Sequence, residues 1–188
     1  LSTDLARCGV TGVTDMSVAN DPATAALFAG QQADGRLSQR LVVAGQLALA
    51  EVQSGSRQVV GPMLTVGPAK LHLHEWQLPD LDECVGFIRA AHAQGRAVAT
   101  HCTTEVELVF ALAALNAAGV LRGDRIEHAG MASDALVQMV ADRALIVVSQ
   151  PQFIAERGDA YIRDVPVADH AQLYRLATFA GKGVTLAA

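Results

Sequence analysis

Strand-like and helix-like segments alternate along almost the whole chain, and no hairpin signal joins two strands directly. Seven short apolar runs are typical of strands, and longer runs with helix caps separate them. A strand, a helix and a second strand in this order place the two strands parallel to each other. The pattern therefore predicts a parallel α/β fold, either a doubly wound sheet or a (β/α)8 barrel. The predicted strands are residues 10–15, 41–44, 70–74, 97–101, 125–128, 144–149 and 184–187.

Capping residues mark several of the predicted helices. Asp21 precedes Pro22, which suits the first turn of a helix, and Asp80 is a suitable cap for another helix. Residues 58–68 carry two Gly-Pro pairs, so we expect them to be irregular or partly extended. We expect residues 153–165 to form a loop over the mouth of the fold. The predicted helices are residues 22–33, 46–53, 81–94, 104–118, 133–142 and 168–180.

Polar residues at the ends of several predicted strands favour a barrel. They are Asp15, His74, His101, His128 and Gln150. Several strands contribute residues to one mouth in a barrel. No GxGxxG or GxxxxGK[ST] motif follows a predicted strand, which weakens a nucleotide-binding interpretation. We expect one domain over residues 1–188.

His101 and His128 each end a short apolar run, and they lie 27 residues apart. A helical stretch fills the interval, which is the length of one strand-helix-strand unit. The carboxyl ends of neighbouring parallel strands meet at one edge, so both imidazoles should face the same mouth. Neutral imidazole is a common ligand of Zn²⁺, which makes the pair a candidate metal site. Hydrogen-bonded rim residues are the alternative.

The segment Lys70-Leu71-His72-Leu73-His74 alternates polar and apolar residues. Strand geometry places Lys70, His72 and His74 on one face. A lysine inside a barrel is costly unless it is paired or modified. An exposed edge strand with its polar residues in water is the alternative, and His-x-His alone is a weak metal signal.

Composition excludes several classes of protein. Half of the chain is hydrophobic (51%) and 18% is charged, which suits a packed core. The net charge of −5 argues against a nucleic-acid surface, and no apolar run is long enough for a membrane span. An odd set of cysteines without CxxC spacing favours a reducing compartment, so we expect a cytoplasmic protein.

Other polar residues are candidates for substrate binding or for support of the fold. Gln150 follows an apolar strand, where it would line the mouth and bind substrate. Arg157, in the expected loop, is a candidate for binding an anionic group. Glu127 should face away from His128 and be a structural partner for Arg125 or for a nearby helix.

Several motifs occur in an order and spacing that resemble those of amidohydrolase family 3, the YtcJ-like metal-dependent hydrolases. They are Ala99-Thr100-His101, Arg125-Ile126-Glu127-His128-Ala129, Ser149-Gln150-Pro151 and Gly67-Pro68-Ala69-Lys70. The resemblance covers essentially the whole chain, and Arg-Ile-Glu-His-Ala is the most specific of these motifs. It implies a (β/α)8 TIM barrel, here incomplete and covering about strands 2 to 8.

The resemblance also implies a metal site and an activity. His101 and His128 match metal ligands on strands 5 and 6, and Lys70 matches a carbamylated, metal-bridging lysine on strand 4. The metal would be one or two divalent ions, most commonly zinc. The reaction implied is hydrolysis of C–N bonds in amides or cyclic amides by a metal-activated water. The partner would be a small amide-like substrate, and an incomplete barrel with open sheet edges makes a homo-oligomer possible.

Two departures from the family pattern limit these expectations. The family's strand 1 His-x-His would precede Leu1, and its catalytic strand 8 aspartate would follow Ala188, so the catalytic residue stays unknown and this fragment is expected to be inactive. His74 stands where the family often has an acidic residue, which points to a role in substrate choice. Two alternatives stay open: a non-catalytic α/β binding module with structural histidines, and a barrel lyase or isomerase that uses Lys70 as a free amine.

Overall fold

The structure, a computed structural model, describes residues 1–53 and 63–187. The chain divides into two compact units. The N-terminal unit comprises Leu1–Leu71 and Ala90–Arg96, and the C-terminal unit comprises His72–Arg89 and Ala97–Ala188.

Strands and helices alternate in the described residues, as predicted, and every recorded strand pair in both units is parallel. The strands are β1 Gly12–Asp15, β2 Arg40–Gly45, β3 Leu64–His72, β4 Val98–Cys102, β5 Arg125–His128, β6 Ile146–Val148 and β7 Thr185–Ala187. The α-helices are α1 Ser2–Arg7, α2 Pro22–Ala33, α3 Ala50–Gln53, α4 Leu81–Ala93, α5 Glu105–Ala118, α6 Asp134–Asp142, α7 Gln152–Asp164 and α8 Leu176–Gly181. Short 3-10 turns occupy Leu47–Leu49, Glu75–Gln77 and Val167–Gln172.

The N-terminal unit is built on β1, β2 and β3. Gly12 is in register with Arg40, and Leu41 with Leu64, and both pairings are parallel. Helix α2 begins at the predicted cap, because an Asp21 carboxylate oxygen accepts a hydrogen bond from the Thr24 amide at 2.8 Å. The hydrophobic core of the N-terminal unit comprises Ala25, Leu41, Val43, Leu49, Val52, Leu64 and Val66.

Arg96 is the most connected polar side chain recorded in the N-terminal unit, and it is only 3% exposed. Its guanidinium donates to the carbonyls of Gln46 at 2.8 Å and Leu47 at 3.2 Å, which follow β2. It also donates to the carbonyls of Gly67 at 3.1 Å and Pro68 at 3.2 Å, within β3. Burial lowers the pKa of Arg96 from its usual value. One buried cation therefore satisfies carbonyl groups of two separate segments.

The C-terminal unit contains β4, β5, β6 and β7, each paired with the next. Cys102 on β4 is in register with His128 on β5, so the carboxyl ends of these two strands lie side by side. Helix α5 begins with a capping box in which Thr104 and Glu107 cap each other. The largest fully buried side chains of this unit include Ile88, Leu108, Leu112, Leu115, Ile126, Leu145 and Phe179.

The prediction that residues 58–68 are irregular or partly extended is confirmed as extended where the structure describes them. Leu64–Pro68 belongs to strand β3, which continues to His72, while residues 58–62 lie outside the described residues. The Gly-Pro pair fits the strand because of a contact with the neighbouring strand. A Cβ on Gly67 would lie 2.6 Å from a methyl carbon of Val42 on β2. Glycine is therefore required by a close approach of β2, not by a turn.

Two further predictions near the end of the chain need correction. Residues 153–165 do not form a loop, because α7 runs from Gln152 to Asp164 despite Gly158. Residues 168–180 do not form one helix: a 3-10 turn at Val167–Gln172 is separated from α8 by Tyr174, whose φ of 44° is left-handed.

None of the helices in the described part of the chain is long and apolar enough to cross a membrane.

We expect Arg96→Met to lower the free energy of unfolding by about 3 kcal/mol, because it leaves buried carbonyl groups without a donor. Arg96→Lys should restore little of this loss, since one ammonium cannot reach two segments in the planar geometry of a guanidinium. Urea unfolding followed by circular dichroism measures the effect. Arg89→Met is the control, because Arg89 is exposed and donates to the Ala117 carbonyl. Equal losses for the Arg89 and Arg96 variants would contradict the role assigned to Arg96.

Candidate functional site

His101 and His128 lie together at the carboxyl ends of β4 and β5, in the C-terminal unit. Their ring centroids are 4.5 Å apart, and the rings meet edge to face at 75°. Both rings are partly exposed, so they form a rim and not part of the core. The structure therefore brings together the two histidines that the sequence singled out, while their role as metal ligands stays a prediction.

His72 and His74 extend this pair. The His72 ring lies 4.3 Å from that of His101 and 4.3 Å from that of His74. His74 in turn stacks on Trp76 at 4.7 Å, and the indole is 78% exposed. The weak His-x-His pattern thus belongs to the same cluster as the histidines of β4 and β5.

Aromatic side chains continue the cluster on its other side. Phe153 lies 6.4 Å from His128, Tyr174 lies 6.2 Å from Phe153, and Tyr161 lies 5.8 Å from Tyr174, measured between ring centroids. We call the resulting set the ring cluster. Its members are Trp76, His74, His72, His101, His128, Phe153, Tyr174 and Tyr161.

The ring cluster is unusual for a chain with so few rings. Only 4% of the residues are aromatic, and the sequence holds one tryptophan, two tyrosines and six histidines. The cluster contains the tryptophan, both tyrosines and four of those histidines. Such a concentration of rings beside the carboxyl ends of β4 and β5 makes this place a candidate binding site.

His128 is held from two sides by the segment that follows β6. Its Nδ1 forms a short hydrogen bond with Oε1 of Gln150, and its carbonyl accepts a hydrogen bond from the Ser149 hydroxyl at 2.8 Å. His128 and Ala129 have φ angles of 74° and 48°, a left-handed conformation that is uncommon for residues with a side chain. Strained backbone of this kind persists only where its surroundings hold it, and it concentrates at functional sites.

The buried carboxylate of Glu107 orders the segments that follow His74 and His101. One oxygen accepts hydrogen bonds from the Thr103 amide at 2.6 Å, the Thr103 hydroxyl at 3.0 Å and the Thr104 amide at 3.2 Å. The other oxygen accepts from the Glu75 amide at 3.1 Å. Glu107 is 1% exposed, so these bonds compensate for the burial of its charge.

Gly130 allows the chain beyond β5 to approach the chain beyond β4. A Cβ at this position would lie 2.6 Å from the Thr103 carbonyl oxygen. The Gly130 amide donates to the Cys102 carbonyl at 3.3 Å, and its own carbonyl accepts from the Tyr174 amide at 2.9 Å. Gly130 therefore holds the chain that follows His128 against Cys102 on one side and against Tyr174 on the other.

A cavity of about 510 Å³ opens beside His101 and His128. Arg157, on α7, lines it with its guanidinium carbon 4.8 Å from the centroid of the Phe153 ring. The Tyr161 and Tyr174 hydroxyls lie 3.1 Å apart on its wall. Burial and the hydrogen bond with Tyr161 raise the pKa of Tyr174 well above its usual value, so its hydroxyl stays protonated.

The remaining predicted residues lie in different settings. Lys70 belongs to the N-terminal unit and is 6% exposed. Its side chain therefore does not lie in water, as the alternative of an exposed edge strand required. The predicted pair of Glu127 and Arg125 is confirmed, with Nε and Oε1 2.6 Å apart. Asp15 has a turn role, since it accepts from the Ser17 amide and the Asn20 side chain.

The donor set fits a divalent metal only in part. His101 and His128 supply two nearby imidazoles, the ligand type that zinc prefers. Among residues 1–53 and 63–187, no group of three or more His, Cys, Asp or Glu side chains is arranged to hold a metal ion. The pair fits as two ligands of a larger set.

Two known structures that share the fold are described as uncharacterized metal-dependent hydrolases, and a third as an amidohydrolase. An uncharacterized metal-dependent hydrolase from Pyrococcus furiosus aligns at 22% identity with a TM-score of 0.80, and one from Pyrococcus horikoshii OT3 aligns at 21% identity with a TM-score of 0.80. An amidohydrolase aligns at 18% identity with a TM-score of 0.62. At these identities the likeness shows a shared α/β fold.

This chain covers only part of those structures. Each Pyrococcus alignment covers 99% of this chain, but 44% and 42% of the respective hydrolase. The amidohydrolase alignment covers 98% of this chain and 55% of the other. No protein-family model and no curated protein matches the sequence.

Sequence reasoning missed Glu107, Phe153 and Tyr174 as parts of the site. Glu107 had a detectable signal, since Thr104-x-x-Glu107 has the spacing of a capping box. Phe153 and Tyr174 had none, because their positions depend on α7 and on the left-handed turn at Tyr174.

We expect Glu107→Gln to lower the free energy of unfolding by about 2 kcal/mol, because an amide offers a weaker acceptor to four donors and adds a buried N–H group. The substitution should also broaden the NMR signals of Thr103 and Glu75, whose amides the carboxylate holds. Glu105→Gln, two residues earlier on α5, is the control and should change both measurements little. Unchanged unfolding in the Glu107 variant would show that the carboxylate does not order these segments.

Proposed function

We propose that this chain forms part of a metal-dependent hydrolase that cleaves C–N bonds in amides or cyclic amides. The observation that carries the proposal is the pair of adjacent imidazoles of His101 and His128 at neighbouring strand ends. The shared fold of the Pyrococcus hydrolases and the amidohydrolase supports it. The chain spans less than half of each Pyrococcus structure, so the complete activity is a proposal about the whole protein.

In this proposal His101 and His128 are two ligands of a divalent ion, Zn²⁺, and further donors complete the set. A bound divalent ion lowers the pKa of water and polarises a carbonyl oxygen. Partly exposed imidazoles with an open cavity beside them would leave a substrate access to the ion. The general base is not assigned to any residue of this chain.

Gln150 is proposed to orient His128. Because its Oε1 bonds to Nδ1 of His128, that nitrogen carries the proton and Nε2 is left as the ligand atom. The Ser149 hydroxyl holds the His128 carbonyl and so supports the same orientation. Metal-ligating histidines commonly donate their second N–H to such a partner.

The finer expectations from the family resemblance are kept as proposals. The seven strands would correspond to strands 2 to 8 of a (β/α)8 barrel, and the subfamily would be the YtcJ-like group. Lys70, buried on β3, would be carbamylated, which would replace a buried ammonium by an anion. His74 and Arg157 would contact the substrate.

We expect His101→Ala and His128→Ala each to reduce bound zinc in the full-length protein from stoichiometric to a small fraction, because each removes one imidazole ligand. Metal content measured by mass spectrometry tests this, and hydrolysis of amide substrates should fall in parallel. His92→Ala on α4 is the control and should retain the metal. A wild-type protein without stoichiometric metal would contradict the proposal and favour a non-catalytic binding module.

We expect Gln150→Leu to weaken zinc binding by about tenfold, since loss of a partner to a ligating histidine typically costs that much. Gln150→Glu, which keeps an acceptor for the His128 N–H, should bind zinc at least as well as the wild type. Competition with a zinc indicator measures both affinities. Equal affinity in the Leu variant would show that Gln150 does not orient a ligand.

A further inference from the structure

We propose that the cavity beside His128 binds a carboxylate, which Arg157, Tyr161 and Tyr174 recognise together. The inference rests on the proposed function, because it names the substrate class of the same site. That class is an amide that carries a carboxylate and an apolar group.

The charge of the cavity favours an anion. Of the twelve lining residues, all within the described range 101–174, only Arg157 carries a fixed charge, and none is Asp or Glu. Among the described residues, no carboxylate forms an ion pair with Arg157. Its positive charge is therefore available to a ligand in the cavity.

The position of Arg157 suits a planar anion. Its guanidinium carbon lies 4.8 Å from the centroid of the Phe153 ring, a distance at which the cation and the ring face attract each other. Among the described residues the Arg157 guanidinium donates no hydrogen bond, so its N–H groups are available to a ligand. A guanidinium edge matches a carboxylate with two parallel hydrogen bonds.

The tyrosine pair adds a hydrogen-bond donor. The two hydroxyls are 3.1 Å apart, so one donates to the other, and the accepting hydroxyl keeps its own hydrogen for another acceptor. Tyr174 is fixed by its backbone, since its amide donates to the Gly130 carbonyl at 2.9 Å. The pair therefore presents one donor from a wall that also contains Arg157.

The other residues that line the cavity indicate that the substrate also carries an apolar group. Met131, Phe153, Val165 and Leu173 give the cavity an apolar surface. A ligand that offered only a carboxylate would leave this surface in contact with water, whereas an apolar group would cover it. His101 and His128 line the same cavity, so a carboxylate at Arg157 would hold the rest of the substrate beside the proposed metal ligands.

The test compares two probes of nearly equal size, 4-phenylbutyrate and its uncharged amide, 4-phenylbutanamide. Calorimetry at neutral pH would measure their binding to the full-length protein after a chelator has removed any metal. We expect the acid to bind the wild type about tenfold more tightly than the amide, since hydrogen bonds between charged groups are worth that much. Arg157→Met should abolish the difference, and Arg157→Lys should retain part of it.

Arg163→Met is the matched control, because Arg163 lies on the same helix, is exposed and pairs with Asp164. It should retain the preference for the acid. Tyr161→Phe and Tyr174→Phe should each weaken binding of the acid by about threefold and leave the amide unchanged.

Equal affinity of the wild type for acid and amide would overturn the proposal. So would equal losses in the Arg157 and Arg163 variants, or binding of the acid only after metal is restored, since the metal would then be the anchor. A protein that holds no metal yet binds the acid through Arg157 would support the carboxylate site and contradict the proposed hydrolase.

Discussion

The C-terminal unit depends on one buried carboxylate. Glu107 has almost no contact with water, and it receives hydrogen bonds from the segments that follow His101 and His74. Both segments are irregular, and their amides would otherwise need water or other partners. The same residue closes the capping box of α5, so the start of the helix and the positions of two histidine-bearing segments have a common cause. The positions of His74 and His101 within the ring cluster are supported by this arrangement.

Each of the two units contains a buried charged side chain that bonds to backbone groups, and the two charges are opposite. In the N-terminal unit the buried cation of Arg96 collects carbonyl groups, while in the C-terminal unit the buried anion of Glu107 collects N–H groups. Backbone groups that no strand partner satisfies are bonded instead by a charged side chain with several donors or acceptors. This allows the ends of parallel strands to carry chemistry without loss of order.

Much of the fold could be predicted from local sequence. Residues 125–128 form a strand with the predicted bounds, and Asp21 caps its helix as expected, because both depend on neighbours in the chain. Residues 64–68 could be predicted only as irregular or partly extended, since the glycine of their Gly-Pro pair is explained by contact with Val42, far away in sequence. Helix α7 was missed because Gly158 lies within it and no capping side chain marks its start.

The site was predicted to a similar extent. His101 and His128 were found from their spacing alone, because parallel strands bring equivalent positions together. The contact of His72 with His101 was not expected, and the contributions of Phe153 and Tyr174 depend on tertiary structure that no local pattern encodes. Metal binding, Lys70 and Arg157 remain predictions.

The position of Trp76 has a practical consequence for the study of this protein. It is the only tryptophan in the chain, and it lies exposed at one end of the ring cluster, stacked on His74. Tryptophan fluorescence from these 188 residues therefore originates beside the candidate site and nowhere else. A molecule that covers the indole or moves His74 changes that emission directly. The chain carries its own optical probe of occupancy, in the place where a label would otherwise be introduced.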